Sequence, residues 1–107
     1  MKLPPMSVAA FALVFALGCA SQDEGIPGAA RPTAALARQS GQPRAELEQG
    51  YAVYMLKCGE CHERKLPSQV SDMRWHKVVP GMAWNAGLSA ADEKALLSYL
   101  VAARAAQ

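Results

Sequence analysis

The sequence predicts an all-α domain, and three observations predict it. Apolar residues recur at three- and four-residue steps through residues 44–57 and 90–104, the period of a helix with one buried face. A shorter stretch, 71–79, opens on Ser71 and Asp72 and carries the same step. No run reads convincingly as a strand, and the one short motif rich in chemistry lies at the end of the first helical stretch.

The chain begins with a different composition. Lys2 precedes an apolar run from Met6 to Leu17, long enough for the h-region of a signal peptide and short for a membrane span. It ends in Ala16-Leu17-Gly18-Cys19-Ala20, which resembles a bacterial lipobox, with the leucine two residues before the cysteine rather than three. Residues 1–18 are therefore expected as a lipoprotein-type signal peptide and Cys19 as the lipidated residue. The alternative is ordinary cleavage after Ala20, which would remove Cys19. The expected location is the periplasmic side of a membrane, and Ala20 in place of an aspartate after Cys19 favours the outer membrane. Residues 19–43 are rich in Gly, Ala and Pro and predict a flexible tether, with a brief helical possibility at Ala34 to Arg38. A coil of that length would reach roughly 25–30 Å r.m.s..

The domain proper is expected over residues 44–107. Its first helix, Arg44 to Lys57, carries Glu46 and Glu48 near its positive end. Leu47, Gly50, Tyr51, Tyr54 and Cys58 share one face. A glycine inside a helix costs about 1 kcal/mol against alanine, so Gly50 points to a close approach by another element.

Cys58-Gly59-Glu60-Cys61-His62 follows. C-x-x-C-H is the pattern of c-type haem attachment. Two thiols one helical turn apart match the two vinyl groups on one edge of the macrocycle, and the adjacent imidazole supplies a proximal iron ligand. A thioredoxin-like dithiol would want a βαβ setting, and a zinc site would want a second pair of ligands, for which only Cys19 and His76 are at hand. The expected cofactor is one covalent haem c, anchored by Cys58 and Cys61 with His62 on the iron.

Residues 63–71 are polar, broken by Pro67, and read as a loop. In the short helix from Ser71, Trp75, Val78, Val79 and Met82 fall at helical steps, and Pro80-Gly81 is expected to interrupt or end it. Arg74 and Trp75 carry polar hydrogens suited to haem propionates. The last helix opens on Ser89 with Asp92 three residues on, a short-chain form of the capping box. It runs from about Ala90 to Arg104, with Leu96, Tyr99, Leu100 and Ala103 in one stripe.

The Gly50–Tyr54–Cys58 spacing, the C-x-x-C-H motif and the ending Gly87-Leu88-Ser89 through Tyr99-Leu100 together resemble the class I cytochrome c family. The resemblance covers residues 44–107. It implies a small cytochrome c-like fold in which the first and last helices cross, Gly50 against an aromatic, here Tyr99. It implies that the His62 ring N–H donates to a carbonyl in the following loop, at Leu66 or Pro67. A methionine between a tryptophan and the final helix caps the iron in such domains, which points to Met82, carried over the haem by a Pro80-Gly81 loop. His76 and Met73 are the alternatives.

The implied function is one-electron transfer between periplasmic redox proteins by a membrane-tethered carrier, a monomer or a docked subunit. Alternatives are a haem-based sensor of small ligands and the cytochrome subunit of a periplasmic dehydrogenase. No constellation of acid, base and nucleophile suggests an enzyme. The net charge of +2 is slight, and acidic and basic residues are interspersed without a basic stripe, which argues against nucleic acid as a partner.

Overall fold

The computed structural model describes residues 1–2 and 26–107. The expected signal segment and Cys19 lie outside the described residues, residues 1–2 apart. Four helices follow one another: α1 (Ala34–Ser40), α2 (Arg44–Lys57), α3 (Asp72–Asn85) and α4 (Ala90–Ala105), with a 3-10 turn at Pro67–Gln69 between α2 and α3. The described residues contain no strand, so the all-α expectation holds. No described helix is long and apolar enough to cross a membrane.

The helix starts follow from local chemistry. Ser71 Oγ accepts from the Arg74 N–H at 3.2 Å, and Ser89 Oγ from the Asp92 N–H at 3.1 Å. Each satisfies one of the N–H groups that a helix start leaves bare. The Asp92 carboxylate does not turn back to complete a capping box. It accepts from Gln49 Nε2 of α2 at 2.8 Å, and so ties two helices together.

The central contact is α2 against α4. Leu47, Tyr54, Tyr99 and Leu100 are each at most 1 % exposed, and burying side chains of this kind is worth ~2 kcal/mol apiece. Gly50 lies at the crossing, where a Cβ would run into the Ala95 carbonyl and come within 2.7 Å of Tyr99 Cβ. The rings of Tyr51 and Tyr54 pack on Tyr99 with centroids 5.4 and 5.5 Å away. The close approach read from Gly50 and the partnership with Tyr99 are both present. Ser98 Oγ also donates to Glu46 at 3.1 Å across the same interface.

Two expectations are corrected. Residues 26–43 are not a loose tether. Ala29 is buried in the main core, Leu36 of α1 joins Leu47 and Ala102 in a second cluster, and the buried Tyr99 hydroxyl donates to the Ala30 carbonyl at 2.8 Å. A buried phenol needs an acceptor, and the backbone of this strap supplies it. α1 itself is longer than the expected turn. Thr33 Oγ1 caps its start, and Gly41 ends it at φ 68°.

Nor do Pro80 and Gly81 form a loop; both lie inside α3, which runs on to Asn85. Pro80 cannot donate to the carbonyl of His76. Both residues are exposed, so the bare carbonyl is on the solvent side. Trp75 and Val79 before the proline and Ala83 after it are all buried, and this packing holds the helix together across it.

Candidate functional site

The segment after α2 is folded back onto the helix it leaves. Cys58 caps α2, its N–H donating to the Tyr54 carbonyl at 3.4 Å. Arg64 then returns to the same turn. Its Nε donates to the Tyr54 carbonyl at 3.1 Å and its Nη2 to the Met55 carbonyl at 2.7 Å, with the guanidinium 5.3 Å from the centre of the Tyr54 ring. A cation at a helix C-terminus meets the negative end of the dipole. The Tyr54 hydroxyl donates to the Lys65 carbonyl at 2.9 Å. Cys58 through His62 is thus a loop clasped at both ends.

The two thiols are free, Cys58 half-buried and Cys61 exposed. Burial pushes the Cys58 thiol above its ordinary value, opposed in part by the Arg64 charge. His62 is exposed, and its Nδ1 lies 2.8 Å from the Glu63 carbonyl. With the proton on Nδ1 as donor, Nε2 keeps its lone pair for a metal. The ring partner is therefore Glu63 and not Leu66 or Pro67. The Pro67 carbonyl is taken by Trp75 Nε1–H at 3.0 Å, and that of Leu66 by the Gln69 N–H at 3.0 Å.

A partly open cleft of about 160 Å³ lies beside this loop. Cys58, Cys61 and His62 line it, and α3 contributes Met82. Buried Trp75, Ala83, Leu96 and Leu100 give it an apolar floor. The fold thus brings together five of the candidate site residues, Cys58, Cys61, His62, Trp75 and Met82. Met82 reaches the cleft from a continuous helix, where sequence reasoning placed a loop. Met73 is 82 % exposed, His76 holds Asp72 at the surface, and neither lines the cleft.

Arg74 does not line the cleft either, and Trp75 lines it with its ring N–H already committed to Pro67. The polar groups that do line it are Lys57, Lys65 and Asn85, all exposed and none of them anticipated. Arg64 was also missed, although a cation soon after a helix end is a signal for carbonyl capping. Among the described residues no three His, Cys, Asp or Glu side chains converge as a zinc site requires.

The chain matches no protein-family model, no curated protein and no solved structure.

Proposed function

We propose that this chain is a one-electron carrier of the cytochrome c type, with a single haem c held covalently through Cys58 and Cys61 and axial ligands from His62 and Met82. One observation carries the reading. Both thiols, the imidazole and one thioether line the same largely apolar cleft, and the rival donors Met73 and His76 do not.

The residues fit the group chemically. A protonated thiol suits addition to a vinyl carbon, and Cys58 is held protonated by burial. It lacks the depressed value of a redox-active dithiol. Lys57 and Lys65 suit the carboxylates of a propionate-bearing ring better than Arg74, which is off the cleft. The crossing of α2 and α4 at Gly50 supports a cytochrome c-like arrangement of the first and last helices.

When bound, haem supplies a one-electron ferric–ferrous couple, and a thioether ligand raises its potential relative to a second imidazole. The protein's part is to hold the ligands still. The Glu63 carbonyl orients His62. Met82 rides on α3, whose inner face is buried on both sides of it. Trp75, Leu96 and Leu100 exclude water. With His62 and Met82 both holding the group, the chain would favour electron transfer over ligand binding.

In this reading the carrier is exported and anchored through lipid on Cys19, with donor and acceptor proteins at the periplasmic side. Ile26 packs against the main core seven positions after Cys19, so chain length alone keeps the anchor within roughly 25 Å of it. The partners therefore lie close to the membrane that holds the anchor.

The test is the Cys58→Ala/Cys61→Ala double variant, expressed alongside wild type with c-type haem attachment. Wild type should keep haem through a denaturing gel and the double variant should not. The domain is small, and a covalent cofactor serves it as a staple, so the double variant should be largely unfolded. A fully folded, haem-free wild type would defeat the proposal.

A further inference from the structure

The outer side of α3 is unusual for a solvent face. Met73, Lys77, Pro80 and Trp84 stand at steps of four, three and four residues, which places them in one line along the helix. Met73 is 82 % and Trp84 86 % exposed, while Trp75 of the same helix is buried.

The charge here is mainly basic. From Met73 to Leu88 the chain carries Arg74 and Lys77 and no acid. Asp72, the one acid of α3, stands at the helix start with its carboxylate 3.3 Å from the His76 ring. Arg74 and Lys77 meet no carboxylate among the described residues. Lys57 and Lys65 line the neighbouring cleft, with Glu60 3.9 Å from Lys57. The position is equally specific. Ala83 and Asn85, on either side of Trp84, line the cleft that holds Cys58, His62 and Met82.

We infer that this stripe is the docking surface for the redox partner, and that the partner presents an acidic rim around an apolar centre that receives Trp84. The inference rests on the carrier reading above. Tryptophan is the residue most enriched at interface hot spots, and a mainly basic rim steers an oppositely charged partner and fixes its register. A partner seated on α3 comes within reach of the cleft. A membrane lying on the same stripe would cover the cleft mouth and shut the carrier off from its partners.

The test uses the full, haem-loaded chain and small redox probes of defined charge. Ferrous protein is oxidised by hexacyanoferrate(III), an anion that takes one electron and becomes hexacyanoferrate(II). Ferric protein is reduced by the dihydro form of anthraquinone disulfonate, an anion with an aromatic face. Arg74→Glu/Lys77→Glu should slow hexacyanoferrate at low salt by roughly tenfold, and high salt should remove the difference. Arg38→Glu/Arg44→Glu changes the net charge equally at residues that do not line the cleft and are not on the α3 stripe, and should change the rate much less. Trp84→Ala should slow the aromatic probe by roughly fivefold and leave hexacyanoferrate unchanged.

Equal effects of the two double variants would overturn the docking surface while a normal haem spectrum left the carrier reading intact. Absence of haem from wild type would overturn both. Sedimentation of the chain alone and binding to anionic phospholipid vesicles decide between other occupants. A dimer, or vesicle binding, that Trp84→Ala abolishes would assign the stripe to a second copy or to a membrane and overturn the inference.

Discussion

Gly50 lies against the Ala95 carbonyl so closely that no side chain fits between α2 and α4. On helix propensity alone, Gly50→Ala would stabilise α2 by about 1 kcal/mol. At the crossing the added carbon meets backbone, which cannot rotate away, and the helices must separate. Overpacking of this kind costs ~1–3 kcal/mol. Gly50→Ala should therefore lower the denaturant midpoint, and Gly81→Ala, with nothing within 4 Å, should not. Equal behaviour of the two variants would mean that the crossing is not tight.

Arg64 clasps the loop that carries Cys58, Cys61 and His62. Arg64→Ala removes two charge-assisted hydrogen bonds to helix carbonyls and a cation stacked on Tyr54. Hydrogen bonds to charged groups are worth ~1.5–3 kcal/mol, so a loss of about 2 kcal/mol is expected in urea melts. Arg64→Lys should recover less than half of it, because an ammonium cannot span both carbonyls.

Alkaline pH should unfold the domain for an identifiable reason. Burial pushes the Tyr54 phenol up to about 12 from 10.0, and burial also raises Tyr99. In the unfolded chain both phenols lose their protons near pH 10. The stability they contribute is complete below that pH and falls as pH rises toward 12. Tyr54→Phe loses the bond to the Lys65 carbonyl but also one of the two buried phenols. Its melting temperature should be lower than wild type at pH 7, and the gap should narrow above pH 10. A constant gap would contradict the assignment.

With Met82 on the iron, as proposed, carbon monoxide should bind poorly to ferrous, haem-loaded wild type, because the thioether would take the position it needs. Met82→Ala should bind it rapidly, and Met73→Ala should behave as wild type. Rapid binding by wild type would favour a sensor over a carrier.

The sequence was most legible where one side chain or one spacing decides the outcome. The serines at 71 and 89, the helical period of α2 and α4 and the demand of Gly50 for a close neighbour are all local signals. Cys58, Cys61 and His62 reach the cleft together because they are neighbours in sequence, whereas Met82 reaches it by the packing of α3 and not by the expected Pro80-Gly81 loop. The sequence was least legible where tertiary packing overrides composition. Residues 26–43 lack an apolar period, yet Tyr99 needs an acceptor and Leu36 fills a gap beside Leu47. Pro80 reads as a break, yet the buried side chains before and after it carry α3 through. Arg64 looked like one more surface charge because its partners are backbone carbonyls, which a sequence does not display.

The central claim is that the cleft is a haem site with His62 and Met82 on the iron. Absorption spectra of the oxidised and reduced full chain, made with c-type haem attachment, test it most directly. The account predicts the sharp visible bands of a reduced low-spin haem c and, in the oxidised protein, a weak long-wavelength sulfur-to-iron band that Met82→Ala abolishes. A chain that takes up no haem, or a wild-type oxidised spectrum without the sulfur band, would contradict it.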